Sequence, residues 1–179
     1  TLVGVVNADA SLSFPDFRAT ERTFHLLVQV AGRAGRADKA GRVLIQTRQP
    51  THDCLQAVAR QDFESFFEAG LPERRDFGYP PFGRLAALIL RGKDKARVEA
   101  KADAVARDLA ERVKASGAQV QVLGPAPSPL VLVKGAWRYR LLLKSSSSKA
   151  LHTLLNPWCF AWKDAAVQLQ VDIDPLSFL

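Results

Sequence analysis

Hydrophobic and polar positions along the chain alternate between the spacing of strands and that of helices. Leu2 to Val6 is a short, β-branched apolar run, which predicts a strand covered on both faces in an α/β sheet. A helix is predicted from Thr20, because apolar residues then recur on one face, and Gly32 is expected to end it. Arg42 to Thr47 is the next predicted strand. This part of the chain therefore has the pattern of an α/β fold.

The middle of the chain changes to a helical pattern and then to a stiff corner. Apolar residues from His52 to Ala69 are spaced for helices, and Gly70-Leu-Pro72 is expected to break them. The two consecutive prolines of Tyr79-Pro-Pro-Phe82 stiffen the chain. We therefore predict three parts. Residues 1–60 form an α/β lobe, residues 61–83 form a helical and proline-rich connector, and residues 84–179 form a second domain.

The second domain has the pattern of a small α+β fold. Gly124 to Pro129 is expected to be a proline-rich connection between strands. The order of elements, βαββαβ, is that of ferredoxin-like folds. The predicted elements are a strand from Arg84 to Arg91, a helix from Asp94 to Gly117, strands from Val120 to Leu123 and from Trp137 to Lys144, a helix from Lys149 to Trp162 with a break at Pro157, and a strand from Val167 to Ile173.

Composition narrows the choice of partner and compartment. The 179 residues are 47% hydrophobic, which is enough to bury a core in each of two small domains. The net charge of +7 favours a polyanion, with nucleic acid the leading candidate and a merely basic soluble surface the alternative. Cys54 and Cys159 form no CxxC pair, so no metal site is predicted. The two cysteines suggest no disulfide framework, which fits a reducing cytosol, and without a membrane-length apolar stretch we expect a soluble, cytoplasmic protein. Because the chain starts at Thr1 and has no methionine, we expect a fragment of a longer polypeptide.

Gln29 to Arg36 is the stretch that suggests a specific chemistry. Gly32 and Gly35 leave the backbone free to approach a charged ligand, and Arg33 and Arg36 carry guanidinium groups suited to phosphate oxygens. A Walker loop needs a strand, a glycine loop and a helix in that order, whereas here a helix comes first. The arginines are therefore interpreted either as groups presented to a nucleotide that another lobe holds, or as a solvated helix end.

Several motifs together resemble those of a known enzyme family. The segments Leu2 to Asp9, Pro15 to Arg18 and Gln29 to Arg36 resemble the fifth and sixth motifs of superfamily 2 helicases. Four downstream segments resemble the carboxyl-terminal part of the PriA-type primosomal helicases, also called replication restart helicases: Glu73-Arg-Arg75, Gly78-Tyr-Pro-Pro-Phe82, Leu123-Gly-Pro-Ala-Pro127 and Val171-Asp-Ile-Asp-Pro175. The resemblance therefore covers nearly the whole chain. It also implies that the last domain resembles a protein of the small ribosomal subunit with a similar topology.

The resemblance implies a division of labour at an ATPase site. In such helicases a first RecA-like lobe carries the Walker loop and binds Mg²⁺, and a second lobe, to which residues 1–60 would belong, closes on ATP. Arg36 would be the arginine finger and Arg33 its neighbour on the phosphates. Because the first lobe is not in this chain, the chain alone is expected to be inactive, and the family's zinc module lies upstream. Other residues implied to line the ATP cleft are Gln29, Gly32, Gly4 and Asp9.

The resemblance also implies contact with DNA. Asn7 matches the motif that couples nucleotide state to the grip on DNA, and Arg18 and Arg84 are further candidates. In the second domain, cations and aromatic residues of the kind that pair with phosphates and stack on bases gather around a glycine: Lys134, Trp137, Arg138, Tyr139 and Arg140. The alternative interpretation of these basic residues is a sheet edge protected by positive charge.

The family's partners give the last expectations. Lys144 and Lys149 flank a serine-rich loop near the family's pocket for the acidic tail of single-stranded-DNA-binding protein. Forked DNA and other primosome proteins are further partners, no membrane is expected, and we expect a monomer. The hypothesis is the C-terminal part of an ATP-dependent 3′-to-5′ DNA helicase of replication restart. The alternatives are a non-catalytic basic nucleic-acid-binding module and another superfamily 2 helicase that acts on RNA.

Overall fold

The computed structural model describes residues 2–34 and 41–178. The chain forms two compact units, and the division lies between Pro72 and Glu73, within the connector predicted at residues 61–83. Each unit has its own hydrophobic core.

The first unit combines a pair of parallel strands with helices. Val5 of the first strand lies opposite Ile45 of the second. His52 caps a helix by accepting a hydrogen bond at Nδ1 from the N–H of Cys54, at 3.2 Å. The elements are β1 (Leu2–Val5), α1 (Asp9–Leu12), α2 (Ala19–Arg33), β2 (Arg42–Ile45), α3 (Asp53–Arg60) and most of α4 (Phe63–Asp76), which continues past the division.

The core of the first unit lies against one face of α2. Phe24 and Leu27 of α2 are each 2% exposed, and Cys54 of α3 is fully buried. The ring of Phe24 stacks on that of Phe66 in α4, with the centroids 4.3 Å apart. Burial raises the pKa of the Cys54 thiol to about 11, so this cysteine is a packed thiol rather than a nucleophile.

One face of the β1–β2 pair is uncovered, so the prediction of a strand covered on both faces is wrong for this chain. Leu2 is 65% exposed and Leu44 is 57% exposed. Val5 and Ile45, on the other face, pack against the core. The apolar run of β1 indicated burial, but the described residues supply helices for one face alone.

Two predicted helix breaks do not occur, whereas α2 ends at Arg33, one residue after the predicted end at Gly32. α4 continues through Pro72. The C-terminal helix of the second unit likewise contains Pro157. Proline removes one backbone hydrogen bond and disfavours a helix interior, but packing of an apolar face can outweigh that preference. In the C-terminal helix, the buried Trp158 follows the proline directly.

The second unit is a four-stranded sheet with two helices. The predicted order βαββαβ is confirmed by the structure. The strands lie in the order β4-β5-β3-β6, and each hydrogen-bonded pair is antiparallel. The elements are β3 (Arg84–Gly92), α5 (Lys95–Ser116), β4 (Val120–Val133), β5 (Ala136–Ser145), α6 (Ser148–Phe160) and β6 (Gln168–Ile173).

The core of the second unit lies between the sheet and the two helices. α5 begins after Asp94, whose Oδ1 accepts a hydrogen bond from the N–H of Arg97 at 3.1 Å, and it ends at Gly117 in the left-handed conformation, at a φ of 64°. Alternate residues of the two central strands face these helices: Ala86, Leu88 and Leu90 of β3, and Tyr139, Leu141 and Leu143 of β5.

β4 is longer than predicted, because the proline-rich segment from Gly124 to Pro129 belongs to the strand. Its pairing with β5 is irregular between Leu123 and Ala126, and again after Pro127. Proline cannot donate a hydrogen bond to a sheet and is tolerated at edge strands and bulges. β4 lies at the edge of the sheet, so its prolines do not end it.

Two further structural findings concern membranes and metals. Within residues 2–34 and 41–178, no helix is long and apolar enough to cross a membrane. The same described ranges contain no group of three or more His, Cys, Asp or Glu side chains placed to hold a metal ion.

Shortening Leu141 should destabilise the second unit. The side chain is fully buried, so Leu141→Ala should lower the free energy of unfolding by about 2–5 kcal/mol through lost apolar burial and a residual cavity. The chain's 3 tryptophans all lie in this unit, so their fluorescence during urea unfolding measures it. As a control, Leu176→Ala changes a residue that is 75% exposed and should cost less than about 0.5 kcal/mol. Equal losses for the two variants would contradict this core.

Asp164 should make the second unit sensitive to acid. Its Oδ1 accepts hydrogen bonds from the N–H groups of Ala166 and Val167, both at 3.0 Å, and its carboxylate lies 3.4 Å from Lys101 Nζ. These contacts lower its pKa, with the hydrogen bond from Val167 the largest cause. The resulting stabilisation is present above the pKa of the unfolded chain, about 3.9, and is lost as the pH falls through the lower folded value.

The measurement is the tryptophan-monitored urea midpoint between neutral pH and about pH 3. Asp164→Asn should lower the midpoint at neutral pH and reduce its further loss in acid. Asp172→Asn, an exposed change of equal charge on β6, controls for net charge. An acid loss that is the same with and without Asp164 would contradict the assignment.

Candidate nucleic-acid interface

The sheet of the second unit has two faces of different composition. One face packs on α5 and α6 and is apolar. We call the opposite one the outer face. Because side chains alternate along a strand, the register assigns its members. They are Leu85, Ala87, Ile89 and Arg91 of β3, Arg138, Arg140, Leu142 and Lys144 of β5, and Gln168, Gln170 and Asp172 of β6.

Cations on the outer face lie in rows that cross the strands. At one end of the sheet, Arg138 of β5 lies opposite Arg91 of β3, which lies opposite Gln168 of β6. The next row contains Arg140 and Gln170 on either side of the buried Ile89. The outer face therefore combines an apolar centre with cationic and amide groups.

Two of the predicted DNA-binding arginines have partners within the unit. The guanidinium of Arg140 lies 4.9 Å from the centroid of the Phe178 ring, and its Nη1 donates to the Phe178 carbonyl at 3.0 Å. Nη1 of Arg84 lies 3.2 Å from Oδ2 of Asp174. Arg140 therefore holds the C-terminal segment, and the charge of Arg84 is compensated.

Arg138 and Arg91 differ from these two arginines. Arg138 is half-buried and Arg91 is exposed. The described part of the chain provides no carboxylate partner for either guanidinium. Two uncompensated positive charges thus lie directly across from each other.

The predicted basic and aromatic cluster is divided between the two faces of β5. Trp137 and Tyr139 lie on the helix side of the sheet, where Lys95 Nζ is 5.4 Å from the centroid of the Trp137 ring. Burial raises the pKa of Tyr139, and Glu99 adds to the effect. Lys134 forms the turn between β4 and β5, at a φ of 50°. The aromatic rings and the arginines of this cluster therefore do not share a surface.

The two predicted partner-binding lysines line separate cavities. Lys144 donates from Nζ to the carbonyl of Phe77 at 2.5 Å and borders a cavity of about 390 Å³. Lys149 borders a cavity of about 670 Å³ that α5 and α6 line, together with Arg112 and the apolar side chains of Leu154 and Pro157. The second cavity therefore places two cations beside an apolar wall.

In the first unit, the predicted ATP-cleft residues of α2 lie on one stripe. Gln29, Gly32 and Arg33 are spaced three and four positions apart, and all three are exposed, on the side away from the buried Phe24 and Leu27. A Cβ atom at Gly32 would meet nothing within 4 Å. Arg36, the predicted arginine finger, lies outside the described residues.

The other motif residues of the first unit lie at the carboxyl ends of the parallel strands. Asn7 has a φ of 56°, in the left-handed region that few residues other than glycine adopt. Asp9 accepts hydrogen bonds from the Thr47 hydroxyl at 2.5 Å and from the N–H of Arg48 at 2.8 Å. These bonds lower the pKa of Asp9, and the bond from Thr47 is the largest cause. Gly4 is exposed with open space around it.

Arg18 lies immediately before α2 and belongs to a loop that Asp16 organises. The N–H of Arg18 donates to Oδ1 of Asp16 at 2.9 Å, and the same carboxylate forms an ion pair with Arg22. The Arg18 guanidinium lies 5.0 Å from the centroid of the Phe17 ring. Arg18 is half-buried, so part of this residue is accessible.

Sequence reasoning missed Arg91 and Gln168 as members of the cationic row. Both lie in predicted strands, and their parity relative to the apolar residues could have placed them on the outer face. The position of Arg91 opposite Arg138 depends on the strand order and register, which a pattern along one strand does not contain.

The sequence of the chain is similar to the sequences of one family of known proteins. The family model of the primosomal protein N C-terminal domain matches residues 75–176. Proteins named replication restart protein PriA are similar over the whole chain. That of Bacillus subtilis is 38% identical, covering 100% of this chain and 22% of that protein. That of Synechocystis is 39% identical, covering 99% and 21%, and that of Rickettsia conorii is 41% identical, covering 99% and 27%.

The chain thus spans about a fifth to a quarter of the length of these relatives. Among solved structures, the de novo designed protein Foldit4 aligns with 52% of this chain and 97% of its own, at 13% identity and a TM-score of 0.39, which is too weak a similarity to indicate a shared fold. The match over residues 75–176, together with the relatives that align along the whole chain, shows that the chain belongs to the primosomal protein N C-terminal domain family.

Proposed function

We propose that this chain is the C-terminal part of an ATP-dependent 3′-to-5′ DNA helicase of replication restart, a cytoplasmic enzyme that recognises forked DNA and initiates primosome assembly. The observation that carries the proposal is the similarity to PriA relatives over the full chain, which includes the first unit as well as the family domain. In this role the first unit contributes to an ATPase site and the second unit binds DNA.

For the first unit, we propose a place in the second RecA-like lobe. The exposed stripe of Gln29, Gly32 and Arg33 supports this, because these groups face solvent at the end of α2, just before Arg36 in the chain. The uncovered apolar face of β1 and β2 supports it as well, since parallel sheets are usually covered on both faces. Arg36 would stabilise charge on the transferring phosphate of ATP, and the other lobe would hold the Walker loop and Mg²⁺.

For the second unit, we propose DNA binding through its basic surface, with Arg138 the strongest of the predicted contacts. Arg138 has no carboxylate partner within the described part of the chain, whereas Arg84 and Arg140 are engaged internally. A cation without a counter-ion is free to displace the ions condensed on a phosphate backbone.

For a protein partner, we propose the acidic tail of single-stranded-DNA-binding protein. The cavity beside Lys149 supports this choice, because Arg112 and Lys149 could pair with carboxylates while Leu154 and Pro157 contact an apolar side chain. Lys144 borders the other cavity and would act there through its positive charge and the N–H donors that do not bind the Phe77 carbonyl.

The arginine-finger role is tested by Arg36→Ala in the full-length protein. An arginine that stabilises the transition state contributes roughly 10³–10⁵-fold to turnover, so DNA-stimulated ATP hydrolysis should fall by at least about a hundredfold. ATP binding in the absence of turnover should change much less, because the interaction strengthens mainly in the transition state. Arg60→Ala, at the end of α3, is the matched control.

Turnover close to the original rate in the Arg36 variant would favour the alternative, a basic nucleic-acid-binding module in which this arginine has no catalytic part. Unwinding should be compared on forked DNA and on duplex RNA, because preferential unwinding of RNA would favour the other helicase class.

The DNA-binding role of the second unit is tested by charge reversal at Arg138. Arg138→Glu should weaken binding of the 179-residue chain to forked DNA by roughly tenfold or more at low salt and should reduce the slope of log K against log salt. Arg107→Glu makes the same charge change at an exposed position of α5 and should have a smaller effect. Equal effects of the two variants would indicate nonspecific attraction by net charge rather than a surface at Arg138.

A further inference from the structure

We propose that Arg91, Arg138 and Gln168 form a phosphate-binding row on the outer face, which holds the backbone of a DNA strand without reading its bases. The row consists of three residues opposite one another on β5, β3 and β6. This inference rests on the DNA-binding role proposed above, and it adds two residues, the chemical group that is bound and the mode of recognition.

The two arginines of the row repel each other. Residues directly opposite each other in an antiparallel pair have Cβ atoms about 4.5–5.5 Å apart, and like charges at such positions destabilise a sheet. Arg91 and Arg138 are such a pair, and the described residues give neither a carboxylate partner. An anion between the two guanidinium groups reverses the sign of the interaction, because each group is then attracted to it.

The hydrogen-bond donors of the row suit a phosphate group. A guanidinium is planar and can donate two parallel hydrogen bonds to a phosphate. Gln168 lies across from Arg91 on the side away from Arg138, and its exposed amide adds a neutral donor. Since adjacent strands are about 4.7–4.9 Å apart, the row extends over roughly 10 Å, enough for one or two phosphate groups.

The described strands of the outer face lack exposed aromatic side chains. Sheets that read single-stranded bases carry exposed aromatic side chains on which the bases stack. The outer-face positions of β3, β5 and β6 contain no aromatic residue, and the Phe178 ring beside Arg140 is 8% exposed. Trp137 and Tyr139 lie on the helix side. The chemistry of this face therefore fits the charged backbone and not the bases.

The test compares Arg91→Gln with Arg107→Gln, at an exposed position of α5, in the 179-residue chain. Affinity for fluorescein-labelled single strands of two unrelated sequences, and for a fork, is measured by anisotropy between about 50 and 200 mM salt. Arg91→Gln should weaken binding by roughly tenfold, equally for both sequences, and should lower the salt slope by about one. Arg138→Lys should preserve most of the slope while weakening binding, because it keeps the charge but loses the planar fork.

Thermal unfolding of the protein without DNA distinguishes a binding role from a structural one. At low ionic strength, Arg91→Gln should unfold at the same temperature as the original chain or up to a few degrees higher, because the repulsion is removed. Weaker DNA binding combined with a lower unfolding temperature would mean that Arg91 supports the fold, and would overturn the inference.

Three arms separate this inference from the proposed function. If the original chain binds DNA and Arg91→Gln binds equally well with the same salt slope, the row is wrong and the DNA-binding role stands. If the original chain binds no DNA, both the DNA-binding role and the inference fail. Protection of the chain by pyrophosphate against thermal unfolding would not rescue the inference. If an oligoglutamate of equal charge displaces the single strand from the original chain but not from Arg91→Gln, the row accepts carboxylates and the preference for phosphate is overturned.

Discussion

The pairing of β3 with β5 is the interaction on which the second unit depends. It runs without interruption from Arg84 opposite Ser145 to Gly92 opposite Trp137, and the side chains from Leu85 to Leu90 of β3 are buried. Because successive side chains point to opposite faces, a shift of one residue would turn Leu141 away from the helices and Arg140 into the core. Burying an unpaired guanidinium costs several kcal/mol or more, so this register is strongly preferred. The same register therefore determines both the core and the cationic surface.

The outer face shows how an apolar sheet centre is protected without a third helix. Leu85, Ala87 and Ile89 are nearly inaccessible although they face away from α5 and α6. After β6 the chain turns at Asp174, and Phe178 then lies against Arg140, which holds it through the ring and the carbonyl. Arg140 thus has a structural role on the outer face. The row that contains Arg138 and Arg91 lies farther toward the β4–β5 turn and has no such covering partner within the described residues.

The strands and helices of the second unit could be predicted from the sequence because their patterns are local. Alternation in β5 and β6 and the caps of α5 at Asp94 and Gly117 are contained in short windows of sequence. The prolines of β4 were misjudged, because a proline's effect depends on whether its strand lies at the edge of the sheet. Pro72 was misjudged as well, since α4 continues through it to Asp76. The rings that pack on Phe24, which is far away in the chain, are those of Phe63 and Phe66 at the start of this helix.

The candidate sites show the same division between local and non-local information. Gln29, Gly32 and Arg33 could be placed together because one helix spaces them, and the structure exposes all three. Trp137 and Arg138 are neighbours in the chain, yet they lie on opposite faces of a strand, so proximity in sequence was misleading.

Arg91 is separated from Arg138 by more than forty residues of chain, yet the register places the two side by side. Two like charges that face each other across a strand pair violate a local rule of sheet stability. Such a violation is informative when no nearby group compensates the charges. The Arg84 pair with Asp174 shows that this sheet does supply counter-ions where an arginine has only to be tolerated. Their absence from the described surroundings of Arg91 and Arg138 is therefore better explained by an anion from outside the chain than by an accident of surface composition.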